Sequence, residues 1–231
     1  MASRHQNDRM TKPTPRQIQR RERILKVAQE MTAKQDYYAI SMRAIAAASK
    51  VAEKTLYNIF GSKDRLLAMA AQRRSAGVFE HSAQAVPEGG WPFLLAFTQN
   101  IACTTLEKPV TTHTLAHVLL EHSDLVGLDR IYDSYIGQAL EQMQKQRLLR
   151  GSIPIPYLTK AFRLGITATV VFWTKNEISD AELHPSLNLQ LGQILLPFAR
   201  RGHDATIKAM LDESLAQLSC PRGPGIYYSV L

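Results

Sequence analysis

Cysteine is scarce in this chain. Two occur among 231 residues, Cys103 and Cys220, with no CxxC pair and no Cys/His spacing around either. That excludes a disulfide framework and a thiolate zinc site, and it fits a reducing compartment. Long hydrophobic runs are missing as well. The most apolar stretch, Ile166 to Trp173, lies between Arg163 and Lys175 and is far too short to cross a bilayer. The N-terminus carries Arg4, Asp8 and Arg9 early and has no apolar segment, so no secretory signal is visible. The chain has no GxSxG, P-loop, HExxH or dinucleotide fingerprint, and its acids at Asp129, Asp133 and Glu141 fall on charged helical faces. The expectation is a soluble, cytoplasmic protein that is not an enzyme and uses no cofactor or metal.

What is present is a chain of ordinary globular composition, 45% hydrophobic and 21% charged, large enough to bury a core without staples. Its net charge of +8 is unevenly spread. Residues 1–74 hold 16 Lys and Arg against 6 Asp and Glu, whereas the remaining 157 residues are slightly acidic. A basic head on a near-neutral body suggests a polyanion-binding module attached to a part with another task. A merely solvated basic face is the competing explanation.

Helical periodicity runs through nearly the whole chain, and strand-like alternation is almost absent. Residues 1–15 read as a basic arm broken by Pro13 and Pro15, with Arg4, Arg9 and Lys12 available to a minor groove or to phosphates. From Arg16 a helix is predicted, with Ile24, Val27, Ala28 and Met31 as its apolar stripe. Ser41 is placed to cap a short second helix, and a turn follows at Ser49-Lys50-Val51. A third helix is predicted from Ala52 to Phe60, ended by Gly61, and Ser62 can cap a long fourth helix from Lys63. Further on, helices are predicted over 91–107, 110–122, 125–149, 155–178 and 186–218, the last broken near Pro197 or Gly202. The fold class is all-α: an N-terminal three-helix head over 16–62, joined by a long helix to a C-terminal bundle over 63–218, with an irregular tail at 219–231.

Two short helices joined by a tight turn, the second led by small and polar residues, describe a DNA-reading helix-turn-helix. The leading end must be thin enough to enter a major groove about 12 Å wide. Ala52, Glu53, Lys54 and Thr55 suit that requirement, while Leu56, Ile59 and Phe60 anchor the opposite face. The stretch from Ser41 to Leu67, with Ile45-Ala46, Val51, Thr55-Leu56-Tyr57-Asn58-Ile59-Phe60 and Ser62-Lys63-Asp64-Arg65-Leu66, resembles the signature of the tetracycline-repressor (TetR) family. Two positions depart from it. Lys50 stands where a turn glycine is common, which either strains or re-routes the turn or adds a phosphate contact, and Ile59 stands where a histidine is frequent.

The resemblance implies a transcriptional regulator, a repressor by the family's habit, that binds a palindromic operator in double-stranded DNA as a homodimer. It further implies a small effector bound in the body. Matched position by position, Ser41 and Arg43 would hold a phosphate at the start of the second helix, Tyr57 would meet the backbone, and Lys63 would clamp a second phosphate. Ala52, Glu53, Lys54 and Thr55 would meet base edges: Lys54 at guanine O6/N7, Glu53 at cytosine N4, and Ala52 or the Thr55 methyl at thymine. Thr55 could instead bond the backbone at its helix start, and Tyr57 could be a small-core aromatic.

In the body, Phe97, Ile101, His113, His117, Tyr132, Tyr135 and Trp173 are candidate effector contacts, and an apolar lining favours a hydrophobic or aromatic ligand. His113 and His117 share a helix face, but no further ligands converge on them for zinc. By resemblance, the last two long helices would pair with those of a second copy. Ile166, Val170, Trp173, Leu187, Leu191, Ile194, Leu195 and Leu211 offer the apolar surface, part of it intramolecular core. The competing reading, from another class, is a DNA-binding architectural or cell-cycle protein without an effector. RNA binding is disfavoured because the basic region lacks stacking aromatics.

Overall fold

A computed structural model describes residues 14–219. The arm cations Arg4, Arg9 and Lys12, and the tail from Cys220 onward, lie outside the described residues. Twelve α-helices in this range carry the fold, and no strand forms among the described residues beyond an isolated bridge between Leu149 and Ala199.

Helix α1 (Pro15–Thr32) opens on a capping box in which Thr14 and Gln17 bond each other's backbone. Pro15 therefore begins the helix instead of breaking it, because the first turn needs no N–H from that position. Ile24, Leu25 and Ala28 are buried and Val27 and Met31 half-buried, as the apolar stripe predicted. Helix α2 (Met42–Ala48) is capped by the Ser41 hydroxyl, which accepts from the Ala44 N–H at 3.1 Å. It buries Met42, Ile45 and Ala46 against Leu56 and Phe60 of α3 (Glu53–Phe60).

The turn between α2 and α3 is where this chain departs from the glycine pattern, and the backbone does adopt the left-handed region at Lys50, φ 54°. The Lys50 N–H donates to Ala47 O and the Val51 N–H to Ala46 O, each at 3.1 Å. That is a Schellman arrangement, closing the end of α2 with a lysine in the position that favours glycine. Gly61 (φ 80°) ends α3, and Ser62 caps α4 (Lys63–Ala85) through a bond from the Arg65 N–H.

Helix α4 leaves the head and runs into the body, its Leu66, Leu67 and Ala70 packed with the head and its Phe79 in the body's aromatic core. The body contains α5 (Gly90–Glu107), α6 (Pro109–Glu121), α7 (Ser123–Val126), α8 (Leu128–Tyr132), α9 (Gln138–Lys145), α10 (Ile155–Thr174), α11 (Asp180–Leu195) and α12 (His203–Leu218). The single helix predicted over 125–149 is broken, since Gly127 adopts a left-handed conformation and a π-turn spans Asp133–Gly137. The one predicted over 186–218 is two helices. Its start lies six residues earlier, at a Ser179/Glu182 capping box, with Pro185 inside α11, and the division at Leu196–Gly202 falls where the break near Pro197 or Gly202 is expected.

Candidate DNA interface and ligand cavity

The head presents its polar residues at the N-terminal ends of α2 and α3. Ser41, Arg43, Lys50, Ala52, Glu53, Lys54 and Tyr57 are exposed, while Leu56 and Phe60 on the opposite face of α3 are almost fully buried. Tyr57 is 48% exposed, which removes it from the small core. Thr55 is half-buried and its hydroxyl makes no hydrogen bond among the described residues, so a backbone-capping role is not realised. Ala52 occupies the cap position of α3 without a side-chain bond. The reading end of α3 is thereby left narrow.

Lys63 occupies a different setting from its neighbours. Its Nζ donates to Tyr37 O at 2.7 Å and Ile40 O at 2.9 Å, and lies 4.0 Å from the centroid of the Tyr37 ring. Burial lowers its pKa below the ordinary lysine value, against the opposing pull of Asp64 and Asp36. It ties the α1–α2 connection to α4 with two of its three protons, leaving one for an external anion. Two further cations brace the head: Arg23 Nε donates to Ser49 O at 3.1 Å, and the Arg21 guanidinium sits 5.2 Å from the Phe60 ring centroid.

The same connection meets the body. The Tyr37 hydroxyl donates to Asp64 Oδ1, and burial together with that carboxylate pushes its pKa up to about 12. From α6, the Thr114 hydroxyl donates to Gln35 O at 3.0 Å, the His117 ring lies 4.1 Å from that of Tyr37, and His122 Nε2 stands 3.7 Å from Asp64 Oδ1. Head and body therefore touch through α4 and α6. Nothing in the sequence hints that Tyr37, Asp64 and His122 join head to body, because only the packing of α6 on the connection brings them together.

Behind this junction, α4, α5, α6, α8 and α10 surround a cavity with about 710 Å³ of empty space, its open mouth included. Phe79, Phe97, Ile101, Leu115, Leu128, Ile166 and Val170 line it, with Phe79 stacked on Phe97 at 4.1 Å and edge-on to Tyr132 at 4.9 Å. Its polar lining consists of Arg74, Ser75, Thr104, Thr105, Thr112, Tyr132 and Thr167. Arg74 Nη2 donates to Thr104 O at 3.0 Å and to the Thr112 hydroxyl at 3.4 Å, and burial lowers its pKa from the usual arginine value.

Of the seven body residues proposed from sequence, Phe97, Ile101 and Tyr132 line this cavity and four do not. Helix α6 turns Thr112, Leu115, Ala116 and Leu119 inward, so His113 and His117 fall on an adjoining face. His113 is exposed with its ring 5.5 Å from that of Trp173, and His117 faces Tyr37. Tyr135 packs behind Phe79 at 5.2 Å. Trp173 is buried elsewhere, its indole N–H donating to Asp180 Oδ1 at 2.8 Å. The cavity's basic group, Arg74, was missed because a lone arginine in a helical pattern reads as solvated surface.

The surplus apolar surface expected of the last helices is mostly internal. Leu187, Leu191 and Leu195 are at most 1% exposed, and Ile166 and Trp173 are buried. The apolar groups left outside on this side are Tyr157, Leu164 and Phe172 of α10 and Leu215 of α12. No helix among the described residues is long and apolar enough to cross a membrane, and no cluster of His, Cys, Asp or Glu there is arranged to hold a metal.

Comparison with known proteins agrees with this architecture. Residues 24–70, which span α1 from Ile24, all of α2 and α3, and the start of α4, match the model of the bacterial regulatory proteins of the tetR family. The HTH-type transcriptional repressor KstR of Mycobacterium tuberculosis is 36% identical over 131 residues, 54% of this chain and 60% of that protein. KstR of Mycolicibacterium smegmatis is 38% identical over 77 residues, 33% of this chain and 38% of that protein. The chain thus matches less than two thirds of either relative's length. Among solved structures, a TetR transcriptional regulator from Rhodococcus sp. RHA1 superposes with a TM-score of 0.59 at 14% identity, over 76% of this chain and 97% of that one. Thermus thermophilus FadR, a TetR-family repressor in complex with lauroyl-CoA, gives 0.57 at 16% identity, over 89% and 98%. Residues 24–70 are thus similar to the head of the tetR-family bacterial regulatory proteins, and the all-helical fold as a whole is shared with solved TetR-family structures.

Proposed function

We propose that the protein is a ligand-responsive transcriptional repressor. Two copies bind a palindromic operator through α3, and a small, largely apolar effector in the cavity releases them. The observation that carries this reading is the course of α4. One helix supplies Leu66 and Leu67 to the core under the reading head and Arg74, Ser75, Val78 and Phe79 to the cavity wall. A ligand that moves α4 moves the head with it, and a coupling of ~1–3 kcal/mol suffices for a useful change in operator affinity. The KstR relatives are named as repressors and the FadR neighbour was solved with an acyl-CoA, which supports both halves of the proposal.

Within this reading, residues 16–62 are the DNA-binding head and 63–218 the effector and dimerisation part. Ala52, Glu53, Lys54 and Thr55 face base edges, while Ser41, Arg43, Lys50, Tyr57 and the remaining proton of Lys63 meet phosphates. Reading two half-sites about 34 Å apart requires a symmetric partner. The exposed apolar groups Leu164 and Phe172 on α10 are the surface offered to it. The cavity favours an effector-responsive regulator over an architectural DNA-binding protein, which would have no use for one.

The test is selection of fragmented genomic DNA by the purified protein at fixed, near-physiological salt. It is followed by anisotropy titration of the recovered fragments with and without the small molecules that the products of neighbouring genes handle. Recovery of a few fragments sharing a palindrome supports the proposal. Recovery of all fragments alike, vanishing as salt rises, refutes specific regulation. Recovery of a palindrome whose affinity no ligand alters refutes only the effector.

A further inference from the structure

The cavity contains a cation that the protein itself leaves partly unanswered. Arg74 projects from α4 into the lining, and both of its hydrogen bonds leave from Nη2 to neutral acceptors, Thr104 O and the Thr112 hydroxyl. Its Nε and Nη1, which carry three of the five guanidinium N–H groups, meet no acceptor among the described residues. No carboxylate there comes within ion-pair distance of it, Glu107 acting only from farther away. A half-buried guanidinium with no counter-charge of its own and free N–H groups is an anchor for an anion that enters the cavity.

A second observation points to the same space. Tyr132 is 4% exposed and lines the cavity, and its hydroxyl has no hydrogen-bond partner among the described residues. The hydroxyl is open to the cavity, so an oxygen-bearing occupant that can bond it is favoured over a pure hydrocarbon. Around it, Phe79, Phe97, Ile166 and Val170 offer walls that accept only an apolar body.

We propose that the effector is an amphiphilic acid, an apolar chain or ring system ending in an anionic carboxylate that pairs with Arg74. This rests on the reading of the cavity as an effector site and names the chemical class it takes. The carboxylate accepts from the free N–H groups of Arg74, with the Thr104 and Thr112 bonds holding the guanidinium in place. Arg74 lies on α4, so an anion drawing on it acts directly on the helix that carries the head.

The experiment is calorimetric titration of the full chain with two matched pairs of probes. One pair is dodecanoic acid and dodecan-1-ol, and the other is 2-naphthylacetic acid and 2-(2-naphthyl)ethanol. Each is repeated on Arg74→Met and Arg74→Gln, the second retaining a donor for Thr104 O. For at least one pair, the wild type is expected to favour the acid by about 10- to 100-fold, the usual worth of a hydrogen-bonded charge. Both variants are expected to lose that preference while still binding the alcohol. Equal binding of acid and alcohol by the wild type, or an acid preference that survives in both variants, overturns the assignment of an anionic head but leaves the cavity as a ligand site. Failure of all four probes to bind overturns the cavity reading itself.

Discussion

Replacing Lys50 by glycine separates backbone strain from DNA contact at a single position. Lys50 is exposed, so its side chain contributes no packing, and its backbone sits at φ 54° to complete the bonds that end α2. A left-handed conformation costs an L-residue roughly 1–2 kcal/mol. Glycine escapes that cost but has about 0.5–1 kcal/mol more conformational entropy to lose on folding. The difference leaves Lys50→Gly more stable by ~0.5–1 kcal/mol. For a chain of this size each kcal/mol shifts the midpoint by roughly 2–4 °C, so a rise of about 2 °C is expected. Lys50→Ala removes the charge but keeps the strain, so it is expected to melt at or slightly below the wild-type temperature. Thermal denaturation of the three proteins by circular dichroism reads the first effect. Operator affinity against salt reads the second, and both variants are expected to lose ~1 from the slope if Lys50 touches a phosphate. If the glycine variant melts no higher than the alanine one, the turn is not strained and the reasoning from φ fails.

Three other outcomes are expected. Lys54→Ala should relax preference at one base position by about 1–3 kcal/mol, measured by selection from a randomised operator library; an unchanged preference would misplace the reading face. Lys63→Met should cost about 1–2 kcal/mol of stability in urea titration by freeing the Tyr37 and Ile40 carbonyls; an unchanged midpoint would show the two bonds to be dispensable. His203 packs edge-on to Trp91 with its Nε2 buried and unpartnered among the described residues, and burial holds its pKa, like that of His184, below the ordinary 6.5. The unfolded chain then takes up protons that the folded chain does not, so stability is full above pH 6.5 and declines as pH falls below it. His203→Gln should flatten that decline in denaturation midpoints between pH 5 and 7, and an equally steep fall in the variant would assign the effect elsewhere.

Much of the head was legible because its determinants are local. A hydroxyl at Ser41 or Ser62 can cap only the helix that begins beside it, and the alternation of Leu56 and Phe60 with Glu53, Lys54 and Tyr57 settles which side of α3 is buried. Even the strain at Lys50 was readable, since a Schellman turn demands positive φ from whichever residue occupies that position. Two helix starts near proline are misplaced in the sequence reading. Pro15 reads as a break and the last helix as starting only at residue 186. Yet Pro15 is the first residue of α1, where no N–H is needed, and α11 starts at the Ser179/Glu182 capping box and carries Pro185 inside it.

The body was legible as helices and opaque as a site. Periodicity says that a face of α6 is buried but not what buries it. Only packing decided that Thr112, Leu115 and Leu119 look into a cavity while His117 looks at the head. Likewise Leu187, Leu191 and Leu195 read as spare apolar surface until α11 was placed between α10 and α12. The chain alone determined that there is a helix-turn-helix head on a helical body, because caps, turns and the helical repeat act over a few residues. The tertiary structure decided where the cavity lies and that Arg74 reaches it, because those facts depend on residues brought together from five helices across the chain.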